Sequence, residues 1–338
     1  EAQLAYVKKC LRAEAMTFIV MPGGEPTLPK LRPVLAELTA FRPDWIVAIG
    51  GGSVLDGAKL AWVFLEHPDA DLERICRPFG LPPMRGLARF AAVPTTAGTG
   101  SEVSSSALFL DESTKAKRAV VSHELLPDIA VLDPAVTVAV PPMAVAAAGL
   151  DALAHAVEGY VSKFSHPLAD MQAEKAIAVL LDKLVATWRE PEDAETRLAV
   201  MHAAMMAGWV QNLKVPGLGH AIAHQMGAFG IPHGLAAGAF LVPAMQHNSE
   251  SLEVQDSYAA LAKDLKLRDD LELIDTIMQL KAELGLAERL CKLAGGDREA
   301  ILAKTDAIAT GAQEDICAKA NPTPFGAEEV AWVLKETL

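Results

Sequence analysis

Short apolar runs, rich in β-branched and aromatic residues, alternate with helix-spaced stretches through the first part of the chain. Met16–Met21 (MTFIVM), Trp45–Ile49 (WIVAI), Phe90–Val93 and Ile129–Leu132 predict short buried strands. Leu28–Thr39 and Ser53–Leu65 show helical spacing between them. That rhythm predicts a largely parallel sheet with helices on its faces, joined by right-handed crossovers. After Pro141-Pro142 the strand signals stop. Segments 143–162, 167–188, 193–212, 217–228 and 234–246 predict successive helices, followed by amphipathic helical segments to Leu338. The fold class is therefore α/β plus all-α, with residues 1–142 forming a parallel-sheet domain and residues 143–338 a helical one.

Length and charge agree with this division. The chain has 338 residues, which suits two domains, and its 51% hydrophobic and 22% charged residues supply a globular core. Its 30 basic and 43 acidic side chains give a net charge of −13, which argues against nucleic-acid partners and anionic membranes. The excess is uneven. Residues 1–150 hold 14 Lys/Arg and 16 Asp/Glu, a balance of −2, whereas residues 151–338 hold 16 and 27, a balance of −11. A phosphate-bearing ligand should favour the first half. Cys10, Cys76, Cys291 and Cys317 lack C-x-x-C spacing, which fits a reducing compartment and excludes a disulfide scaffold. Glu1-Ala-Gln-Leu opens an amphipathic stretch without a secretory n-region, so a cytoplasmic location is expected.

Two loops carry candidate cofactor chemistry. Gly50-Gly51-Gly52-Ser53 joins the strand at Trp45–Ile49 to the next helix, where backbone N–H groups and the helix dipole favour an anion. It is neither G-x-G-x-x-G, because Leu55 stands at the third glycine, nor a Walker loop, because Ala58 replaces the lysine. Ser53 as helix N-cap with Asp56 completing the cap is the purely structural reading. The second loop, Pro94-Thr95-Thr96-Ala97-Gly98-Thr99-Gly100-Ser101-Glu102, follows Phe90–Val93 and offers several hydroxyl donors. Two such loops at the carboxyl ends of strands in one sheet point to a nucleotide crevice.

The second half carries candidate metal chemistry. Val215–Ser249 is 35 residues without Asp, Glu, Lys or Arg, but glycines, prolines and histidines break it, which favours a buried site over a membrane span. His220 and His224 are spaced i, i+4 and His233 follows within 14 residues of His220. Asp151 and His155 repeat the i, i+4 spacing on an earlier helix, so each pair shares one face. Buried imidazoles need partners, and one carboxylate with several imidazoles suits Fe(II) or Zn(II) better than Mg or Ca.

The motifs Gly50-Gly-Gly-Ser-Val-Leu-Asp-Gly-Ala-Lys59, Pro94 to Glu102, Gly149-Leu-Asp-Ala-Leu-Ala-His155, His220-x3-His224, His233-Gly and Asn321-Pro-Thr-Pro occur in one order along nearly the whole chain. Together they resemble the iron-containing (group III) alcohol dehydrogenases. The resemblance implies an N-terminal dinucleotide-binding domain, a helical metal domain and reversible hydride transfer between an alcohol and a nicotinamide cofactor. It implies Asp151, His155, His220 and His233 as ligands of Fe(II) or Zn, with His224 beside nicotinamide and substrate without ligating; the spacing of His224 permits a catalytic role as a proton relay. Gly51, Gly52, Ser53, Asp56, Thr95, Thr96, Thr99 and Lys117 form the implied cofactor set, for NAD with NADP not excluded. A homodimer acting on a small alcohol or aldehyde is the implied partner picture. Alternatives on the same motifs are a lyase resembling dehydroquinate synthase and a non-catalytic metal and nucleotide sensor. Family chains usually carry a further strand-helix-strand portion ahead of the position of Glu1, with the acidic residue that selects NAD over NADP. Glu25 stands where many members have Asn, and His224 to His233 is nine steps where ten are usual. Glu66 to Arg85 resembles the alcohol dehydrogenase half of bifunctional aldehyde/alcohol dehydrogenases.

Overall fold

The computed structural model describes residues 2–77, 80–112 and 116–338. Glu1, residues 78–79 and residues 113–115 lie outside the described residues. The first half runs α1 (Ala2–Cys10), α2 (Leu28–Phe41), β1 (Trp45–Gly50), α3 (Gly52–Glu66), α4 (Leu72–Ile75), β2 (Arg89–Pro94), β3 (Ser106–Asp111), β4 (Ala116–Val121) and β5 (Ile129–Ala130). The order β1-β2-β5 is parallel, as the sequence rhythm predicts. Register fixes the functional end of this sheet: Gly50 lies opposite Pro94. Both glycine-rich loops therefore leave the same edge, and the Thr95 N–H donates to the Gly50 carbonyl at 2.9 Å.

β5, read from the sequence as buried, is exposed at both Ile129 and Ala130 because it lies at the sheet edge, and two further elements depart from the sequence reading. Met16–Met21 forms no strand and joins no sheet among the described residues; Ile19 and Met21 lean on the core while Val20 is 88% exposed. Its apolar run satisfies one face of packing, and packing alone does not make a ladder. The antiparallel hairpin β3–β4 is the second of these, and the hydrophobic pattern does not announce it. Its strand β4 carries Lys117 and Arg118, which obscure the apolar alternation.

From Pro142 onward every strand signal is gone. α5 (Pro142–Tyr160), α6 (Pro167–Arg189), α7 (Ala194–Lys214), α8 (Leu218–Met226) and α9 (His233–Asn248) follow the expected segments within a few residues, and further helices occupy residues 252–337. α5 is buried on nearly all sides from Gly149 to Gly159, the signature of a helix at the centre of a bundle. Two large apolar cores and a small cluster of Val7, Val93 and Val136 result. Trp62 of α3 stacks on Phe90 of β2 in the first, and α5 to α9 build the second. No helix among the described residues is long and apolar enough to cross a membrane.

Candidate active site

The nucleotide-type loops are built by close approach. Gly51 caps α3 through its backbone, and Ser53 lies inside the helix, so Ser53 is not the N-cap that one sequence reading suggested. Gly52 and Ser53 carry the first N–H groups of α3, which have no intrahelical acceptor. A β-carbon on Gly52 would sit 2.6 Å from Thr99 Cγ2, so only glycine lets the two loops meet there. Ser53 is exposed, and Thr95, Thr96 and Thr99 are half-buried around the same edge.

Asp56 requires a correction. Its carboxylate is taken up by the Ser101 hydroxyl at 2.6 Å and the Leu108 N–H at 3.1 Å, so it braces the second loop and the β3–β4 hairpin from behind. Burial pushes its pKa up, with Lys59 and these hydrogen bonds opposing. Lys59, itself fully buried, donates to the carbonyls of Ser104 and Ser106 at 2.8 and 3.0 Å. Lys117 pairs with Glu25 at 2.8 Å and lies against Gly227, between the loops and the helical half.

The helical half delivers its donors from three helices. Asp151 and His155 share one face of α5, His220 comes from α8, and His233 is the first residue of α9 after Pro232. Asn321 anchors the start of α8: its side-chain oxygen accepts the Leu218 N–H at 2.9 Å. The short connection from His224 to His233 closes through a 3₁₀ turn at Gly227–Phe229 and a left-handed Gly230 (φ 73°), which keeps both rings in contact despite the missing step.

One donor atom from each of Asp151, His155, His220 and His233 lies within 4.8 Å of the others. Asp151 Oδ1 is 3.6 Å from Nε2 of both His220 and His233, and the His155 and His220 rings stack at 4.3 Å. Each of the four residues also carries a buried polar atom without a hydrogen-bond partner: Asp151 Oδ1, His155 Nδ1, His220 Nε2 and His233 Nδ1. Leaving such an atom unsatisfied costs about 1–3 kcal/mol. Four in one place approach the stability margin of a whole domain, about 5–15 kcal/mol. A divalent cation held between the donors would remove that cost at Asp151 Oδ1 and His220 Nε2, which face each other across 3.6 Å, and a carboxylate with three imidazoles is the donor set of a first-row ion. The residues therefore fit the metal that the motifs imply.

Electrostatics tell the same story. Burial would raise the Asp151 pKa, but the imidazoles, His155 first, hold it well below the usual range. Burial pushes His155 down to about 4 and His233 well below its ordinary value. His220 goes the other way, to about 9, because Glu158 and Asp151 outweigh its burial.

His224 stands outside this group. Its Nδ1 lies 2.8 Å from Asp315 Oδ2, its ring stacks on His233 at 5.2 Å, and its side chain is 20% exposed. Sequence reasoning missed two residues here. Glu158 sits three residues after His155 on the same helical face, a spacing that could have revealed it. Asp315 lies 91 residues from His224 and carries no such signal.

Paired loops at the ends of parallel strands, together with a buried carboxylate–imidazole cluster, fit the class of metal-dependent oxidoreductases linked to a nucleotide cofactor. The chain belongs to the iron-containing alcohol dehydrogenase family: the family's description "Iron-containing alcohol dehydrogenase" matches residues 2–134 and its C-terminal counterpart matches residues 145–338. It is similar to an NADPH-dependent butanol dehydrogenase of Clostridium saccharobutylicum, at 35% identity over 92% of this chain and 81% of that protein. It is also similar to the bifunctional aldehyde-alcohol dehydrogenase AdhE of Escherichia coli K12, at 31% identity over 99% of this chain and 41% of that protein. A solved iron-containing alcohol dehydrogenase from Thermococcus thioreducens superposes with a TM-score of 0.88 at 32% identity, covering 98% of this chain and 87% of that one.

Proposed function

We propose that Asp151, His155, His220 and His233 hold Fe(II) or Zn(II), and that the chain uses this site for reversible oxidation of a small alcohol to its aldehyde or ketone with NAD or NADP. The observation that carries the reading is the cluster of four converging donors, each residue with an orphaned buried atom, beside two loops suited to phosphate. A first-row dication held by these four residues would supply Lewis acidity toward a substrate oxygen, and a nicotinamide held by the two loops would supply the hydride acceptor.

The chain's own residues do the rest. Residues 1–142 take the cofactor and residues 143–338 take the metal. The N–H groups of Gly52 and Ser53, with Gly51 allowing close approach, bind the pyrophosphate; Thr95, Thr96 and Thr99 extend the cradle, and Lys117 borders it. Fixing the cofactor against the substrate carbon removes much of the entropic barrier. His224, held by Asp315, accepts the hydroxyl proton of the alcohol in oxidation and returns it in reduction. Asp56 serves this machinery indirectly, through Ser101. We extend the proposal to a cytoplasmic homodimer; the four free cysteines support a reducing compartment.

The reading is tested with His155→Ala, which should lose bound metal and turnover together. Full activity in metal-free His155→Ala would overturn the ligand assignment.

A further inference from the structure

One buried carboxylate has no place in the chemistry above. Glu158 is 2% exposed and lies on α5 seven residues after Asp151 and three after His155, so it shares their helical face. A glutamate that deep needs its oxygens saturated. A single turn of α8 saturates them. Glu158 Oε1 accepts the Gly219 N–H at 2.6 Å, Oε2 accepts the His220 N–H at 3.3 Å, and Oε2 also meets His220 Nδ1. A β-carbon on Gly219 would lie 2.8 Å from Glu158 Oε1, so glycine at that position is what admits the carboxylate. With Nδ1 engaged, His220 presents Nε2 to the cluster, where it stands 3.6 Å from Asp151 Oδ1 with no hydrogen-bond partner.

Resting on the metal reading above, we propose that Glu158 is a positioning residue for the cation: it fixes the tautomer and ring plane of His220, with the Nδ1 proton toward Glu158 and the Nε2 lone pair toward the metal. Histidine ligands generally need such a partner on their other nitrogen, and removing it weakens metal binding by about 10–100-fold. Glutamine is a fair probe of this role. It preserves length and one acceptor oxygen, but its amide nitrogen faces a donor and cannot accept.

The test is the Zn(II) affinity of the full chain, measured by competition with a chromophoric chelator after metal removal. Wild type, Glu158→Gln, Glu158→Asp, His220→Ala and the Glu158→Gln/His220→Ala double variant are compared. Glu158→Gln should weaken Zn(II) binding about 10–100-fold, and Glu158→Asp, which keeps the charge but shortens the reach, should also weaken it. In the His220→Ala background, Glu158→Gln should cost much less, because the residue through which it acts is gone. A general packing role would instead cost the same factor in both backgrounds and lower the thermal midpoint of the metal-free protein. Wild-type affinity in both Glu158 variants, or an equal loss with and without His220, overturns the proposal. A wild-type chain that takes up no Zn(II) overturns the metal reading itself.

Discussion

His224 Nδ1 and Asp315 Oδ2 lie 2.8 Å apart, and Asp315 Oδ1 at the same time accepts the Cys317 N–H at 2.9 Å, capping the short helix Ile316–Ala320. The carboxylate is thus pinned by a helix terminus and in turn pins the imidazole, the arrangement that orients a histidine for proton transfer. His224→Ala should keep its metal yet lose about 100-fold in kcat. Asp315→Asn should lose less, in kcat more than in KM. Metal analysis beside steady-state kinetics checks both; loss of metal in His224→Ala would make His224 a ligand instead.

The two halves meet in close contact where Gly100 (φ 62°) packs on Gly208 of α7. A β-carbon on Gly208 would lie 2.4 Å from Gly100 Cα, and Gln211, one turn later, donates to the Thr99 carbonyl at 2.8 Å. Gly208→Ala forces these backbones apart, at a cost of about 1–3 kcal/mol. We expect a lower thermal midpoint and a raised KM for the nicotinamide cofactor, because Thr99 moves with the loop. An unchanged midpoint and KM would show that this contact does not set the loop position.

Asp128 gives a prediction in pH. Burial would raise its pKa, but the Phe90 N–H at 2.8 Å and Arg85 at 2.9 Å outweigh that and hold it below the usual range. A depressed folded pKa means that the contribution is complete above the unfolded value of about 3.9 and disappears as pH falls through the lower folded value. Asp128→Asn should therefore cost about 1–3 kcal/mol at neutral pH, with the gap to wild type closing below about pH 4. Denaturant melts at several pH values measure this; a gap that widens in acid would contradict it.

The helices and the pairing of side chains on one helical face were legible in the sequence because both depend on local spacing, whereas the choice of His233 over His224 for the cluster rested on the family resemblance. Asp151 and His155 are one turn apart, as are His220 and His224, and such faces can be read without a structure. The fold around them is harder to read. Met16–Met21 has the composition of a strand, but a strand needs a neighbour, which composition does not report. The hairpin β3–β4 hides its alternation behind Lys117 and Arg118. Residues that act through others were hardest to read: Asp315 reaches His224 across the helical half, and Asp56 looked like part of the cradle until Ser101 and Leu108 took up its carboxylate.

The central claim is metal-dependent hydride transfer from an alcohol to a nicotinamide at this cluster. It is tested most directly by loading the metal-free protein anaerobically with Fe(II) or Zn(II) and following reduced nicotinamide over a panel of small alcohols, with NAD and NADP separately. The account predicts accumulation of reduced nicotinamide with at least one alcohol, only after metal is restored, and none in His155→Ala. Equal accumulation in metal-free wild type, or none with any alcohol in the loaded enzyme, would contradict it.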